Sequence, residues 1–302
     1  MASDTLYAAF TMDCEAIERL SPQGGPKTWE QSERSIRNFG ECVLAAGMKP
    51  TFFIVAEAAE KHQKLFGELA QKGAELGLHC HPQNDGFADF LGGYHVDKQK
   101  EIIEISAAKW ARVFGRRPMS FRAGNTSTNN DTFMALLELG FRQGSVSMPG
   151  RRHWAWKAMW ENALPYAHHV DPLDALVAGT AEFYEVPITS DFEKPRIDGN
   201  LYYSPRHLCL DDADLPTYAD AVIQKNLARM TKDNVDIRSA VFVTDTRTDF
   251  PDVHGSLAAM VEQVKRSAQA NGMKIMPATI EDIHKAADER FRDKWRRTKN
   301  LT

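Results

Sequence analysis

The stretch Leu78-His79-Cys80-His81-Pro82 ends one apolar run of this 302-residue chain, and Phe10-Thr11-Met12-Asp13-Cys14-Glu15 ends an earlier one. In an extended strand, residues two apart point to the same face. His79 and His81 would therefore project together, and so would Asp13 and Glu15. Imidazole and carboxylate groups together suit zinc or a neighbouring first-row metal. The pattern predicts a divalent metal site at the ends of two strands, with a coordination position left free for water.

Apolar runs of strand length alternate with amphipathic helical patterns along most of the chain. Predicted strands cover residues 6–12, 50–55, 75–81, 118–124, 143–148, 183–189, 240–246 and 274–279. Predicted helices cover residues 29–46, 57–71, 97–114, 130–139, 218–231 and 255–270, and a terminal helix begins at 280. This alternation with short connectors favours an α/β fold, a parallel sheet or barrel with active residues on the loops that follow the strands.

Residues 149–180 interrupt the alternation. The segment is rich in aromatic residues, among them Trp154, Trp156, Trp160 and Tyr166, and it has no clean periodicity. Two interpretations stay open: a loop that partly covers the barrel mouth, or an aromatic wall for a ligand. Because the chain has no internal repeat and no linker, we expect a single domain over 1–302, with 149–180 as an insertion over the barrel mouth.

Composition narrows the class of protein. The hydrophobic fraction is 43% and the charged fraction 26%, typical of a soluble globular protein. A net charge of −4 gives no electrostatic footprint for nucleic acid. No apolar run approaches the roughly 20 residues of a membrane span. The start of the chain does not have the pattern of a signal peptide, and the four cysteines indicate reduced thiols, so we expect a cytoplasmic protein.

Cys14 and Cys80 each lie between two of the candidate site residues. Strand alternation turns them to the opposite face, toward the helix layer, and predicts buried, inert thiols. The alternative is a structural zinc site built from these cysteines and the histidines, but the chain lacks any Cys-x-x-Cys spacing.

Three motifs occur in order along the first half of the chain: Thr11-Met12-Asp13-Cys14-Glu15, then Glu75 to Pro82, then Phe121-Arg122-Ala123-Gly124 followed by Leu139-Gly140-Phe141. Together they resemble the successive motifs of the polysaccharide deacetylase family, the NodB-homology group or carbohydrate esterase family 4. Glu185-Val186-Pro187 is similar to a late strand motif of that family. The resemblance is close over roughly 5–150 and loose over 180–285.

The resemblance implies a distorted (β/α) barrel of about seven parallel strands that hydrolyses an N-acyl group with a divalent metal ion, expected to be Zn²⁺. Asp13 is then the general base, and Glu15, His79 and His81 are metal ligands. Arg122 matches the arginine that orients the base through a charge-assisted pair.

The chain departs from the family pattern in three places. The two acids are separated by Cys14 rather than adjacent, so Asp13 and Glu15 could exchange roles. The two histidines are two residues apart rather than four, so one of them could lie outside direct contact with the metal. The late strand lacks the histidine that acts as general acid in the family. Asp245 could take that role if its pKa were raised, and His168, His169 or His254 are less favoured alternatives.

The sequence thus predicts a metal-dependent hydrolase that removes an N-acetyl group from a sugar or glycan precursor. An amidase acting on a small non-sugar amide is the second hypothesis, because the same site chemistry permits it. A non-catalytic barrel that binds a glycan or a metal is the third, because the general acid is missing. The expected partner is a small molecule or a glycan.

Overall fold

A computed structural model describes residues 4–198, 202–248, 250 and 256–299. Its strands are β1 Thr5–Cys14, β2 Pro50–Ile54, β3 Glu75–Cys80, β4 Ser120–Ala123, β5 Gln143–Gly144, β6 Arg152–His153, β7 Ala158–Met159, β8 His168–His169, β9 Tyr184–Glu185, β10 Ser190–Asp198, β11 Tyr202–His207, β12 Arg238–Asp245 and β13 Lys274–Pro277. Its α-helices are α1 Trp29–Ala45, α2 Ala56–Lys61, α3 Gln63–Gln71, α4 Val96–Phe114, α5 Asn130–Glu138, α6 Leu215–Lys232, α7 Ser256–Ala270 and α8 Ile280–Lys299.

The main sheet is curled and almost entirely parallel. Its strand order is β12-β1-β2-β3-β4-β5-β9-β8, and β13 pairs with the first half of β1. Among the described strands of this sheet, only the β8–β9 pair is antiparallel. The prediction of an α/β fold with a distorted parallel (β/α) barrel is confirmed.

β1 and β2 show why the sheet has this form. Every residue of β2 is buried, as expected for a strand covered on both faces. Phe52 of β2 packs against Phe39 of α1 with ring centroids 5.6 Å apart, which places the helix layer outside the sheet. Phe10 of β1 stacks on Phe242 of β12 at 4.6 Å. These aromatic contacts hold the centre of the sheet between its helices.

Two irregular segments connect β9 to β12 and bring the sheet round toward closure. The Val186 backbone donates to Gly144, Ile188 donates to Ser147, and Thr189 donates to Val241. Leu208 then donates to Thr189, and Val243 donates to Leu208. Residues 186–189 and 208–210 therefore bridge the gap in the barrel between β9 and β12 with backbone hydrogen bonds. The strands predicted over 143–148 and 183–189 are shorter in the structure than expected, because these bonds follow no regular ladder.

The predicted helix over 57–71 is wrong in one respect, because the structure divides it at His62 into α2 and α3. His62 has φ −116° and ψ 26°, outside the helical region. Its imidazole Nε2 lies 3.1 Å from the hydroxyl of Ser32 in α1. This side-chain contact accompanies a bend that a continuous apolar periodicity does not reveal.

A second, antiparallel sheet has the order β10-β11-β6-β7. β6 and β7 come from the aromatic-rich segment 149–180, which therefore contains short strands as well as loop. His153 of β6 stacks between Trp156 and Tyr202, at centroid distances of 3.6 and 3.8 Å. This sheet was not predicted: β6 and β7 have only two residues each, too few to show alternation, and no strand is predicted over the longer β10 and β11.

Among the described residues, no helix is both long and apolar enough to span a bilayer.

Candidate metal centre and active-site cavity

The predicted site residues come from four strands that end at the same edge of the sheet. Asp13 lies in β1 and Glu15 directly after it, His79 lies in β3 and His81 directly after it. Parallel register sets Asp13 beside Asp245 of β12 and His79 beside Arg122 of β4. The carboxyl ends of parallel strands are where barrel enzymes carry their reactive groups.

Glu15, His79 and His81 converge on one point. The Nε2 atoms of His79 and His81 lie 3.3 and 3.1 Å from the same oxygen, Oε1 of Glu15. All three side chains are buried, and one ligand atom from each lies within 4.8 Å of the others. No other such group of His, Cys, Asp and Glu occurs in the part of the chain that the structure describes.

The hydrogen bonds of this cluster fit a cation. His79 Nδ1 lies 3.0 Å from the Arg122 carbonyl oxygen, which can only accept, so Nδ1 carries a proton. In the neutral ring, Nε2 then points a lone pair at a carboxylate oxygen, and a proton or a metal ion must lie between them. Glu15 Oε2 and His81 Nδ1 are buried without a hydrogen-bond partner among the described residues. A divalent ion would satisfy this donor set.

The pKa directions of the cluster agree with its geometry. Burial lowers the pKa of His79, but the carboxylates of Asp13 and Glu15 outweigh burial and raise it. Burial raises the pKa of Glu15, but His81 and His79 outweigh burial and hold it well below its usual range. The site therefore concentrates negative charge where a cation would sit.

Gly124 explains how His81 fits. A Cβ atom at Gly124 would lie 2.2 Å from Cε1 of the His81 ring, far inside van der Waals contact. The next two residues, Asn125 and Thr126, have φ values of 56° and 52°, a conformation that costs energy for residues other than glycine. The end of β4 is thus shaped to accept an imidazole.

Asp13 is held by a buried arginine. Arg122 Nη1 lies 2.7 Å from Asp13 Oδ1 and also donates to the Thr11 hydroxyl at 2.9 Å. Its Nε and Nη2 donate to the carbonyl and hydroxyl of Ser145. The guanidinium also lies 4.3 Å above the Phe53 ring. Arg122 is therefore fixed on all sides and fixes the orientation of Asp13 in turn.

Asp245 lies on the same cavity as Asp13, Glu15 and His79, and it is engaged by Arg247. Arg247 donates to it from the backbone N, from Nε at 3.0 Å and from Nη2 at 2.5 Å. These bonds hold the carboxylate in one orientation. The assignment of Asp245 as general acid stays a prediction.

The structure places the alternative histidines elsewhere. His168 lies buried in β8, with Nδ1 2.8 Å from the Tyr166 carbonyl oxygen, and it does not line the cavity. His169 lines a different pocket, together with His284 and Arg142. His254 lies outside the described residues.

The two cysteines are not part of the ligand group. Cys14 is fully buried, and Cys80 Sγ lies 3.6 Å from the Ser106 hydroxyl of α4, in the helix layer. Burial raises the pKa of Cys80 to about 12, so its thiol is unreactive at neutral pH.

Sequence reasoning missed several side chains that line the cavity, among them Arg151, His207, Cys209 and Asp211. The cavity has a volume of about 280 Å³, small for a ligand pocket. A signal was present for three of them, because His207, Cys209 and Asp211 alternate with the apolar Leu208 and Leu210 in a strand-like period of two. Burial is the main cause that raises the pKa of Asp211, and the charge of Asp245 adds to it.

The fold is thus a (β/α) barrel with a candidate metal centre at the ends of its strands. This centre has one carboxylate and two histidines, and an aspartate–arginine pair lies beside it. Residues 28–144 match the family model for polysaccharide deacetylase. The resemblance predicted from the motifs is thereby confirmed. The matched span contains His79, His81 and Arg122. It begins after β1, so Asp13 and Glu15 lie outside it.

Solved structures share the fold over nearly the whole chain. A protein assigned as a polysaccharide deacetylase from Mycobacterium smegmatis has 16% sequence identity and a TM-score of 0.61, over 96% of this chain and 92% of its own. A probable polysaccharide deacetylase from Pseudomonas aeruginosa PAO1 has 14% identity and a TM-score of 0.58, over 94% and 91%. The Puue allantoinase has 13% identity and a TM-score of 0.57, over 94% and 90%. No curated protein sequence matches the chain.

Proposed function

We propose that this protein is a metal-dependent hydrolase that removes an N-acyl group, N-acetyl in the first instance, from a sugar or a related small molecule. The observation that carries the proposal is the convergence of Glu15, His79 and His81 on one point beside the Asp13–Arg122 pair. The family match over residues 28–144 supports the reaction class.

Glu15, His79 and His81 would hold the ion. A bound divalent ion supplies Lewis acidity toward an amide carbonyl and lowers the pKa of water toward ~7. The His79 Nδ1–H bond to the Arg122 carbonyl keeps the Nε2 lone pair directed at the ion position. Arg122 thereby orients both a metal ligand, through its backbone, and the base, through its side chain.

Asp13 would take a proton from the attacking water, and its position on the cavity wall with Glu15 and His79 supports this role. Its side chain is only 18% exposed, and Arg122 engages one carboxylate oxygen, whereas no described residue donates a hydrogen bond to the other. A positioned base of this kind contributes about 10²–10⁴-fold to rate. The leaving amine needs a proton as well, and Asp245 is the predicted donor, with Asp211 as its neighbour on the cavity wall.

A small non-sugar amide is the second candidate substrate. Two observations favour it: the cavity is only about 280 Å³, and the Puue allantoinase shares the fold. The two candidates differ in which substrate releases its acyl product.

The experiment is metal analysis followed by a substrate screen. Protein stripped with a chelator and reloaded with Zn²⁺ should bind about one ion per chain, counted by elemental analysis, and release acetate from N-acetyl sugars or acyl amides. His79→Ala and His81→Ala should each lower bound metal, whereas His95→Ala, at an exposed histidine, should leave it unchanged. Full metal occupancy in both variants would remove the histidines from the ligand set.

A further inference from the structure

Arg151 is a cation on the cavity wall whose hydrogen-bonding capacity is mostly unused. Its Nη1 donates to the Asn125 carbonyl at 3.4 Å and to the Thr126 hydroxyl at 3.2 Å. Nε is buried without an acceptor, and Nη2 has no hydrogen-bond partner in the described part of the chain. No carboxylate of the described residues forms an ion pair with this guanidinium.

The groups around Arg151 do not offset its charge. Burial, together with Arg151 itself, lowers the pKa of His207 to about 4, so this imidazole is neutral at pH 7. Burial raises the pKa of Cys209 to about 11, so it is a neutral thiol. Arg151 responds to the same burial, which lowers its pKa to about 10. It nevertheless stays charged at pH 7.

The acidic groups on the same wall are engaged elsewhere. Asp13 pairs with Arg122, and Asp245 pairs with Arg247. Asp211 accepts from the Thr244 hydroxyl at 2.6 Å and from the Asp245 backbone. Arg151 is therefore the one cation lining the cavity, among the described residues, that has no anionic partner.

Arg151 is also held in place. Its guanidinium lies 5.7 Å from the centre of the Trp156 ring, and the His153 ring stacks on that of Trp156 with centroids 3.6 Å apart. Its two acceptors belong to Asn125 and Thr126, the residues with left-handed backbone, and the Trp160 indole N–H anchors the Thr126 carbonyl at 2.8 Å. A positioned guanidinium loses little freedom when it binds a ligand.

An unpaired charge in a partly buried wall is unfavourable unless a ligand completes it. We propose that Arg151 binds an anionic group of the substrate, a carboxylate or a phosphate, while the substrate's amide lies at the Glu15–His79–His81 cluster. The planar fork of arginine matches both oxyanions. This inference rests on the proposed hydrolase function and narrows its substrate to small anionic amides, such as a phosphorylated N-acetyl sugar or an N-acyl amino acid. The small cavity suits one such molecule.

The first test measures anion binding without turnover. Thermal unfolding of metal-free protein is followed with rising sulfate, for wild type, Arg151→Met, Arg151→Lys and the matched control Arg152→Met, whose guanidinium is exposed and pairs with Glu161. Sulfate should raise the Tm of wild type and Arg152→Met most, that of Arg151→Lys less and that of Arg151→Met least, because sulfate also stabilises a folded protein without binding to a site. An equal response in wild type and Arg151→Met would overturn the inference.

The second test compares matched substrates in the metal-loaded enzyme. N-acetylglucosamine is set against its 6-phosphate, and N-acetylalanine methyl ester against N-acetylalanine. The favoured anionic member should exceed its neutral partner in kcat/KM by about 10- to 100-fold, with Arg151→Met removing the preference mainly through KM. The pair that shows the preference distinguishes phosphate from carboxylate.

The outcomes separate this inference from the proposed function. Equal kcat/KM within both pairs would overturn the anionic substrate and leave the hydrolase standing. Absence of hydrolysis for all four compounds, with sulfate binding that depends on Arg151, would instead count against the hydrolase and support the anion site.

Discussion

Nη1 of Arg122 lies 2.7 Å from Oδ1 of Asp13, although 109 residues separate the two in sequence. The same arginine offers its backbone carbonyl to His79 at 3.0 Å. One residue of β4 thus aligns the candidate base and a candidate metal ligand, so their roles can be tested separately.

Asp13→Asn should abolish most turnover and leave metal content nearly unchanged. The amide keeps the shape of the carboxylate but cannot take a proton, and the loss should be about 10²–10⁴-fold in kcat. Elemental analysis and acetate release on the same preparation measure both quantities. Loss of the metal in this variant would show instead that Asp13 is a ligand and that Asp13 and Glu15 have exchanged roles.

Gly124→Ala should weaken metal binding, although Gly124 is not itself a candidate ligand. The added Cβ would lie 2.2 Å from the His81 ring and push it away from Glu15, so we expect affinity to fall about 10- to 100-fold. Competition with a chromophoric chelator measures the affinity. Gly67→Ala is the matched control, because a Cβ there meets nothing within 4 Å. Wild-type affinity in Gly124→Ala would mean that His81 is not a ligand in the position described.

Replacement of Asp245 should have an effect that depends on the leaving group. If Asp245 protonates the leaving amine, Asp245→Asn should lower kcat strongly for an alkyl amide and much less for a 4-nitroanilide, whose leaving group needs less help. Asp211→Asn is the comparison, because burial raises the pKa of Asp211 on the same wall. A leaving-group dependence in Asp211→Asn alone would transfer the role to Asp211.

Acid should destabilise the fold through His168. Burial lowers the pKa of this side chain to about 4, whereas the unfolded chain has the ordinary value of about 6.5. The unfolded state therefore binds a proton between these pH values and the folded state does not. The stability contributed by neutral His168 is complete above pH 6.5 and is lost as the pH falls toward 4, by about 2 kcal/mol between pH 7.5 and 5.

Urea unfolding of wild type and His168→Asn at the two pH values measures this difference. The variant should lose less free energy of unfolding on acidification than wild type. His95→Asn, at an exposed histidine, should behave as wild type. An unchanged pH dependence in His168→Asn would place the acid sensitivity elsewhere.

The parts of the site that sequence could predict are those carried by regular strands. Strand alternation and the predicted parallel sheet put four candidate residues at one end of the sheet, and the structure has them there: Asp13, Glu15, His79 and His81. Their chemical roles remain predictions. The sequence also indicated the aromatic segment 149–180, of which Trp156 lines the cavity.

The rest of the site depends on contacts that local pattern does not encode. Arg151 reaches the cavity from a loop, held by the left-handed residues Asn125 and Thr126. His207 lies at the end of β11; its alternation with Leu208 indicates an extended segment, but nothing local shows that this segment pairs with the two-residue strand β6. The bend at His62 is accompanied by a contact with Ser32 in another helix. Each of these follows from tertiary packing, which one sequence read locally cannot supply.

The pairing of β1 has a consequence for how the chain acquires its structure. β1 precedes the other described strands in the sequence, yet two of its three partners, β12 and β13, lie more than 200 residues further along the chain. The edge of β1 that pairs with β12 lacks its neighbour until residue 245 has been synthesised, and the first half of the other edge lacks β13 until residue 277, so the nascent protein must avoid wrong pairings over most of its translation. A fragment limited to 28–144 would contain the best recognised motifs and lack the strand around which the sheet is assembled.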